Sequence, residues 1–110
     1  MQNSTAQKEE ILRRLAAQFL EMNSNRTSLI SVTRLTLSPD GAHATIYVSV
    51  LPDTEEETAL HFLKRQRKEL KEFIKKNSKM GRIPFLDIEI DLGEKNRQRI
   101  DEISIKDRLE

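Results

Sequence analysis

The sequence predicts an α+β domain: a three-stranded sheet with helices on one of its faces. Three observations carry that reading. Apolar residues recur at helical spacing through the N-terminal segment and again between residues 59 and 74. Strict alternation of apolar and polar residues marks strands at 43–50 and 85–91. Between two β-rich segments lies Ser38-Pro39-Asp40-Gly41, in which proline presets φ and glycine tolerates the left-handed region, as a tight hairpin turn requires.

The first helix opens on Ser4 and Gln7, a capping-box spacing, and carries Ile11, Leu15 and Phe19 beside Leu12, Ala16 and Leu20 as one apolar stripe, ending at Asn23-Ser24-Asn25. Leu29 to Leu37 is rich in β-branched residues and leucine. Its alternation slips near Thr33–Arg34, which predicts a bulge there. Ala44, Ile46, Val48 and Val50 give the next strand a buried face, against His43, Thr45, Tyr47 and Ser49 on the wetter one, and the two strands form an antiparallel hairpin.

Pro52 closes that strand. Thr54 with Glu57 predicts a second capping box, with the acidic run 55–57 at the favoured end of the helix macrodipole. Ala59, Phe62 and Leu63 begin an apolar face that Leu70, Phe73 and Ile74 resume. Gln66 and Arg67 interrupt it, so the helix bends there or runs partly free of the core. Pro84 stops further helix, and Leu86, Ile88 and Ile90 point one way from the last strand while Phe85, Asp87, Glu89 and Asp91 point the other. Residues 94–110 form a charged tail, partly helical or disordered, in which only Ile100, Ile103, Ile105 and Leu109 could dock; the domain proper is 1–93.

At 110 residues, with 36% apolar and 34% charged residues, the chain has material for one modest core. It has no cysteine, which excludes a disulfide framework and thiolate chemistry. No apolar run approaches a membrane span, and the polar start MQNSTAQKEE does not read as a signal peptide; a cytoplasmic monomer is the expectation.

Charge is the informative part. The chain is formally +1 overall, yet between Lys64 and Arg82 nine basic residues (Lys64, Arg65, Arg67, Lys68, Lys71, Lys75, Lys76, Lys79 and Arg82) face only Glu69 and Glu72, a segment net of +7 that leaves −6 for the rest. Lys64, Arg67, Lys68, Lys71 and Lys75 recur at three- and four-residue steps, so they share a helix face or its flank. Such a face neutralises phosphates, and counterion release drives sequence-tolerant nucleic-acid binding. The bland alternative is a solvated face with Glu69 and Glu72 as local partners, but the imbalance is too large for internal pairing. Arg13 and Arg14 extend the track only weakly, because Glu9 and Glu10 dilute that end.

The ordered set of local residues resembles the ribosome-binding factor A family. Ser38-Pro39-Asp40, then Ala44 and Ile46-Tyr47-Val48-Ser49-Val50, is similar to that family's Ser-x-Asp turn and Ala-x-Val-Tyr-Val strand. Leu63 stands where the family's long helical segment begins, Pro84 and Leu86 match its Pro-x-Leu, and Asp91 falls at the usual spacing after the proline. The resemblance implies a type-II KH-like domain, order α-β-β-α(-α)-β, binding the small ribosomal subunit and its rRNA. It further implies a cold-shock and late-maturation role in rRNA processing, without catalysis, cofactor or small-molecule substrate. Three departures stand out: no glycine at Gln66-Arg67-Lys68, where the family bends at Ala-x-Gly; no Arg-Val before the first helix; and Asn23-Ser24-Asn25-Arg26 in place of Asp-Pro-Arg.

Other chemistry is weaker. Asp87, Glu89 and Asp91, spaced about 7 Å along one strand face, could offer oxygen ligands to Mg²⁺ and so a nuclease or RNA-modifying site, but an acidic, solvent-facing sheet surface is the better reading. Tyr47 and Phe85 could stack bases, with ordinary surface packing favoured. His43 and His61 lack the partners of a nucleophile or zinc site. A double-stranded-RNA-binding domain would need a third strand before its second long helix. The competing functional class is an adaptor whose basic face meets an acidic protein.

Overall fold

The structure, a computed structural model, describes residues 4–23 and 28–97. Helix α1 (Ser4–Asn23) is followed by strands β1 (Leu29–Leu37) and β2 (His43–Leu51), a short 3-10 turn (Asp53–Glu55), helices α2 (Glu56–Arg65) and α3 (Arg67–Asn77), and strand β3 (Phe85–Ile90). The sheet order is β1-β2-β3, antiparallel between β1 and β2 and parallel between β2 and β3. The parallel pairing follows from geometry, since α2 and α3 carry the chain back along the sheet before β3 starts.

The hairpin turn is built as its residues predict. Gly41 sits at φ 72°, and its N–H donates to Ser38 O at 2.9 Å. Ser38 Oγ donates to Asp40 Oδ1 at 2.6 Å and the Ala42 amide to the same oxygen at 3.0 Å, which together hold the Asp40 carboxyl below its ordinary value. The register of β1 shifts between Val32 and Arg34, leaving Thr33 as the bulged residue. One extra residue keeps Ile30, Val32, Leu35 and Leu37 all packed on the core.

That core is the inward face of the sheet under three helices. Leu12, Leu15, Ala16, Phe19 and Leu20 of α1 join Ala59 and Leu63 of α2, Leu70 and Ile74 of α3, Ala44, Ile46, Val48 and Val50 of β2, and Leu86 and Ile88 of β3. Each fully buried leucine, isoleucine or valine among them contributes roughly 1.5–3 kcal/mol of transfer free energy. Phe19 and Phe73 lock α1 to α3 with ring centroids 5.7 Å apart, and Glu9 Oε2 accepts the Leu37 N–H at 2.8 Å, tying the start of α1 to the end of β1.

Two expectations need correction. Thr54 and Glu57 form no capping box. The chain enters α2 through the 3-10 turn, with the Glu55 N–H bonded to Pro52 O at 3.0 Å, so Thr54 is already in helical conformation and its hydroxyl is not at a cap position. Glu57 lies instead beside His61. Asp91 does not belong to the solvent-facing acidic row. It is the one buried charged residue among those described, at 6% exposure. Its Oδ2 accepts the hydroxyl of the bulged Thr33 at 2.5 Å and lies 3.5 Å from Arg34 Nε, and its Oδ1 accepts the Glu94 N–H at 3.0 Å, starting a helical segment at 92–97. Strand alternation misplaces it because β3 stops at Ile90. The Ser4 side chain, Ser24, Asn25 and residues 98–110 lie outside the described residues, and with them the first capping box and most of the tail.

Candidate functional site

The apolar stripe broken at Gln66 and Arg67 becomes a break between two helices. Gln66 adopts φ −86°, ψ 2°, its N–H donates to Phe62 O and Leu63 O at 3.1 and 3.0 Å, and its carbonyl accepts the Leu70 N–H at 2.9 Å. The hydrogen-bond ladder therefore passes through the joint almost intact. None of Gln66, Arg67 and Lys68 has a positive φ, so no glycine is required where the family carries Ala-x-Gly. Gln66→Gly is accordingly expected to destabilise the domain by about 0.5–1 kcal/mol, through greater freedom of the unfolded chain, rather than to improve it; urea midpoints of the two proteins check this.

The break turns basic side chains toward the start of β3. Lys64 and Arg65 end α2, and Arg67, Lys68 and Lys71 open α3. Together with Arg82 they line a groove of about 630 Å³ whose other walls are Ala42 and His43 of the hairpin and residues 83–86. The groove thus gathers six of the nine cations singled out from the sequence. Lys75, Lys76 and Lys79 do not line it: Lys76 flanks a shallow hollow between α1 and α3 with Phe19 and Phe73, and Lys79 faces another beside Lys8 and Leu12.

Among the described residues, none of Lys64, Arg65, Lys68, Lys71 and Arg82 forms an ion pair, with Glu69 and Glu72 or with any other acid. Arg67 differs. Its Nη2 lies 3.4 Å from Asp87 Oδ1, its guanidinium sits 4.8 Å from the centre of the Phe85 ring, and its buried Nε has no hydrogen-bond partner among the described residues. Arg13 is held by Glu10 through bonds of 3.0 and 2.6 Å, which lower the Glu10 carboxyl from its ordinary value and remove that end of α1 from the basic track.

The acidic row of β3 is dispersed. Asp87 is committed to Arg67 and Asp91 to Thr33 and Arg34, leaving Glu89 exposed between them. No group of three or more acidic or histidine side chains among the described residues is arranged to hold a metal ion. Tyr47 is covered by the Arg34 guanidinium 3.8 Å from its ring centre, whereas Phe85 stays 53% exposed. No described helix is long and apolar enough to cross a membrane.

A mixed three-stranded sheet in the order α-β-β-α-α-β, with a helix break facing the final strand, defines a KH-like α+β domain. The chain belongs to the ribosome-binding factor A family, whose model matches residues 4–104. Its fold is similar to the crystal structure of ribosome-binding factor A from Thermus thermophilus, at a TM-score of 0.71 and 28% identity over 78% of this chain and 93% of that one. It is also similar to a homology model of the Thermus thermophilus factor fitted into the cryo-EM map of a complex with the 30S subunit, at a TM-score of 0.67 and 28% identity over 74% of this chain and 89% of that one. The solution structure of the Thermotoga maritima protein TM0855 aligns at a TM-score of 0.66 and 26% identity, covering 79% of this chain and 86% of that one. No curated protein matches the chain at a significant level.

Proposed function

We propose that this chain is a non-catalytic assembly factor of the small ribosomal subunit, acting in the cytoplasm as a monomer, that binds rRNA through the groove at the α2–α3 break and assists late maturation and rRNA processing. The observation that carries the reading is the convergence of Lys64, Arg65, Lys68, Lys71 and Arg82, all without ion-pair partners among the described residues, on one concave surface. Family membership supports the ribosomal part, as does the fit of a similar factor into a 30S complex.

The placement of charge argues the same way. Lys64, Arg65, Arg67 and Lys68 place four like charges within five residues across the break, an arrangement that self-repels. A phosphate in the groove would relieve that repulsion while contributing its own contacts. The groove's role in maturation is differential: binding favours one rRNA conformation only by the margin with which it prefers that state.

Co-sedimentation with purified small subunits, large subunits and assembled ribosomes across a salt series tests this. The expected result is selective binding to small subunits with a slope of log affinity against log salt near −4, from about five phosphate contacts. Equal binding to all particles, or to none, overturns it and turns attention to an acidic protein partner.

A further inference from the structure

The groove is not uniformly ionic. Phe85, the first residue of β3, is the one exposed phenylalanine or tyrosine among the described residues, and it opens onto the same surface as the lysines. Its backbone is fixed by a 2.8 Å bond from its N–H to Ala42 O, and its ring is held from two directions. The Arg67 guanidinium lies 4.8 Å from its centre, anchored in turn by Asp87, and the His43 ring meets it near edge-on at 6.0 Å. A half-exposed ring in contact with a cation and an imidazole, bordered by unpaired lysines, combines a π surface with phosphate-binding charge.

We propose that Phe85, braced by Arg67 and His43, is a stacking platform for one unpaired nucleobase, with Lys64, Lys68, Lys71 and Arg82 meeting the flanking phosphates. This rests on the RNA-binding reading and adds to it the chemical state of the RNA: a single-stranded nucleotide whose face is free. Every base offers a π face, so such a contact is tolerant of sequence, and the guanidinium on the ring strengthens it. A continuous duplex buries its base faces against one another and cannot use the platform. The groove therefore binds unpaired RNA in preference to duplex RNA of equal charge.

The test uses the full chain, a short single-stranded RNA carrying one fluorescent purine whose emission falls on stacking, and a duplex of matched phosphate number. Wild type is expected to quench the purine on binding. Phe85→Leu is expected to weaken single-strand binding about tenfold. The salt slope should not change, because no phosphate contact is lost, and duplex affinity should stay within about twofold. Phe85→Trp is expected to retain both binding and quenching. Phe85→Leu binding the single strand within about twofold of wild type, or losing strand and duplex alike, overturns the platform but leaves the cationic groove standing. Absence of quenching in the wild type overturns it as well, whether or not the Leu variant folds. Wild type that binds neither RNA overturns the RNA reading and the platform together.

Discussion

Lys68→Glu with Lys71→Glu is expected to lower affinity for small subunits more than about a hundredfold at moderate salt, whereas Lys75→Glu with Lys76→Glu should cost less than about tenfold. The two pairs change net charge equally and lie on the same helix, so a diffuse field acting at a distance treats them nearly alike. What separates them is position: Lys68 and Lys71 line the groove, Lys75 and Lys76 do not. Each phosphate contact carries roughly a tenfold share of affinity, and reversal replaces attraction with repulsion at contact range. The salt slope gives a second readout, flattening by about two for the groove pair and barely at all for the other. Lys75 and Lys76 also favour the end of α3 through the macrodipole, so thermal melting of both variants separates binding from folding. Equal losses for the two pairs would show that the groove is not the contact surface.

Asp91→Ala is expected to destabilise the domain by about 2–3 kcal/mol, lowering the melting midpoint by roughly 10–20 °C for a chain of this size. Three groups depend on this carboxylate. Thr33 Oγ1 and the Glu94 N–H each lose their acceptor, and Arg34 loses its anion. The Thr33 hydroxyl also lies 3.2 Å from Tyr47 O and can turn to it, which limits the cost at the bulge. Asp91→Asn keeps an acceptor for the Glu94 amide and should lose about half as much. Thermal melts of the three proteins check the order. A midpoint for Asp91→Ala within a few degrees of wild type would mean that the bulge and the 92–97 segment are held by other contacts.

How far the sequence carries depends on whether the cause is local. The alternation of Ala44 through Val50, the slip at Thr33 and the interrupted stripe at Gln66 each sit within one element, and each appears in the structure where the pattern puts it. Asp91 is misread from pattern because its partner Thr33 lies fifty-eight residues away, a distance at which periodicity says nothing. Thr54 is misread because a capping-box pattern cannot tell an N-cap from the interior of a 3-10 turn. The nine cations are legible as charge. Which of them converge is not, since the facing wall at 82–86 belongs to another element. Phe85 is legible only as one of two outward aromatics, for which the pattern favours ordinary packing, and only the packing of Arg67 and His43 around it sets it apart from Tyr47 beneath Arg34.

The parallel pairing of β2 with β3 also has a temporal meaning. The β1–β2 hairpin closes over a short turn and can form early, but β3 has no place beside β2 until residues 52–84 have crossed the sheet as two packed helices. Both walls of the groove, the helix break and the start of β3, are in place only when β3 is paired with β2. A chain still folding, or still emerging during synthesis with β3 unpaired, carries the same lysines but no concave surface to gather them. On the proposed reading, RNA binding by the groove then reports that the domain is complete, since a chain without β3 in place lacks one of the groove's walls.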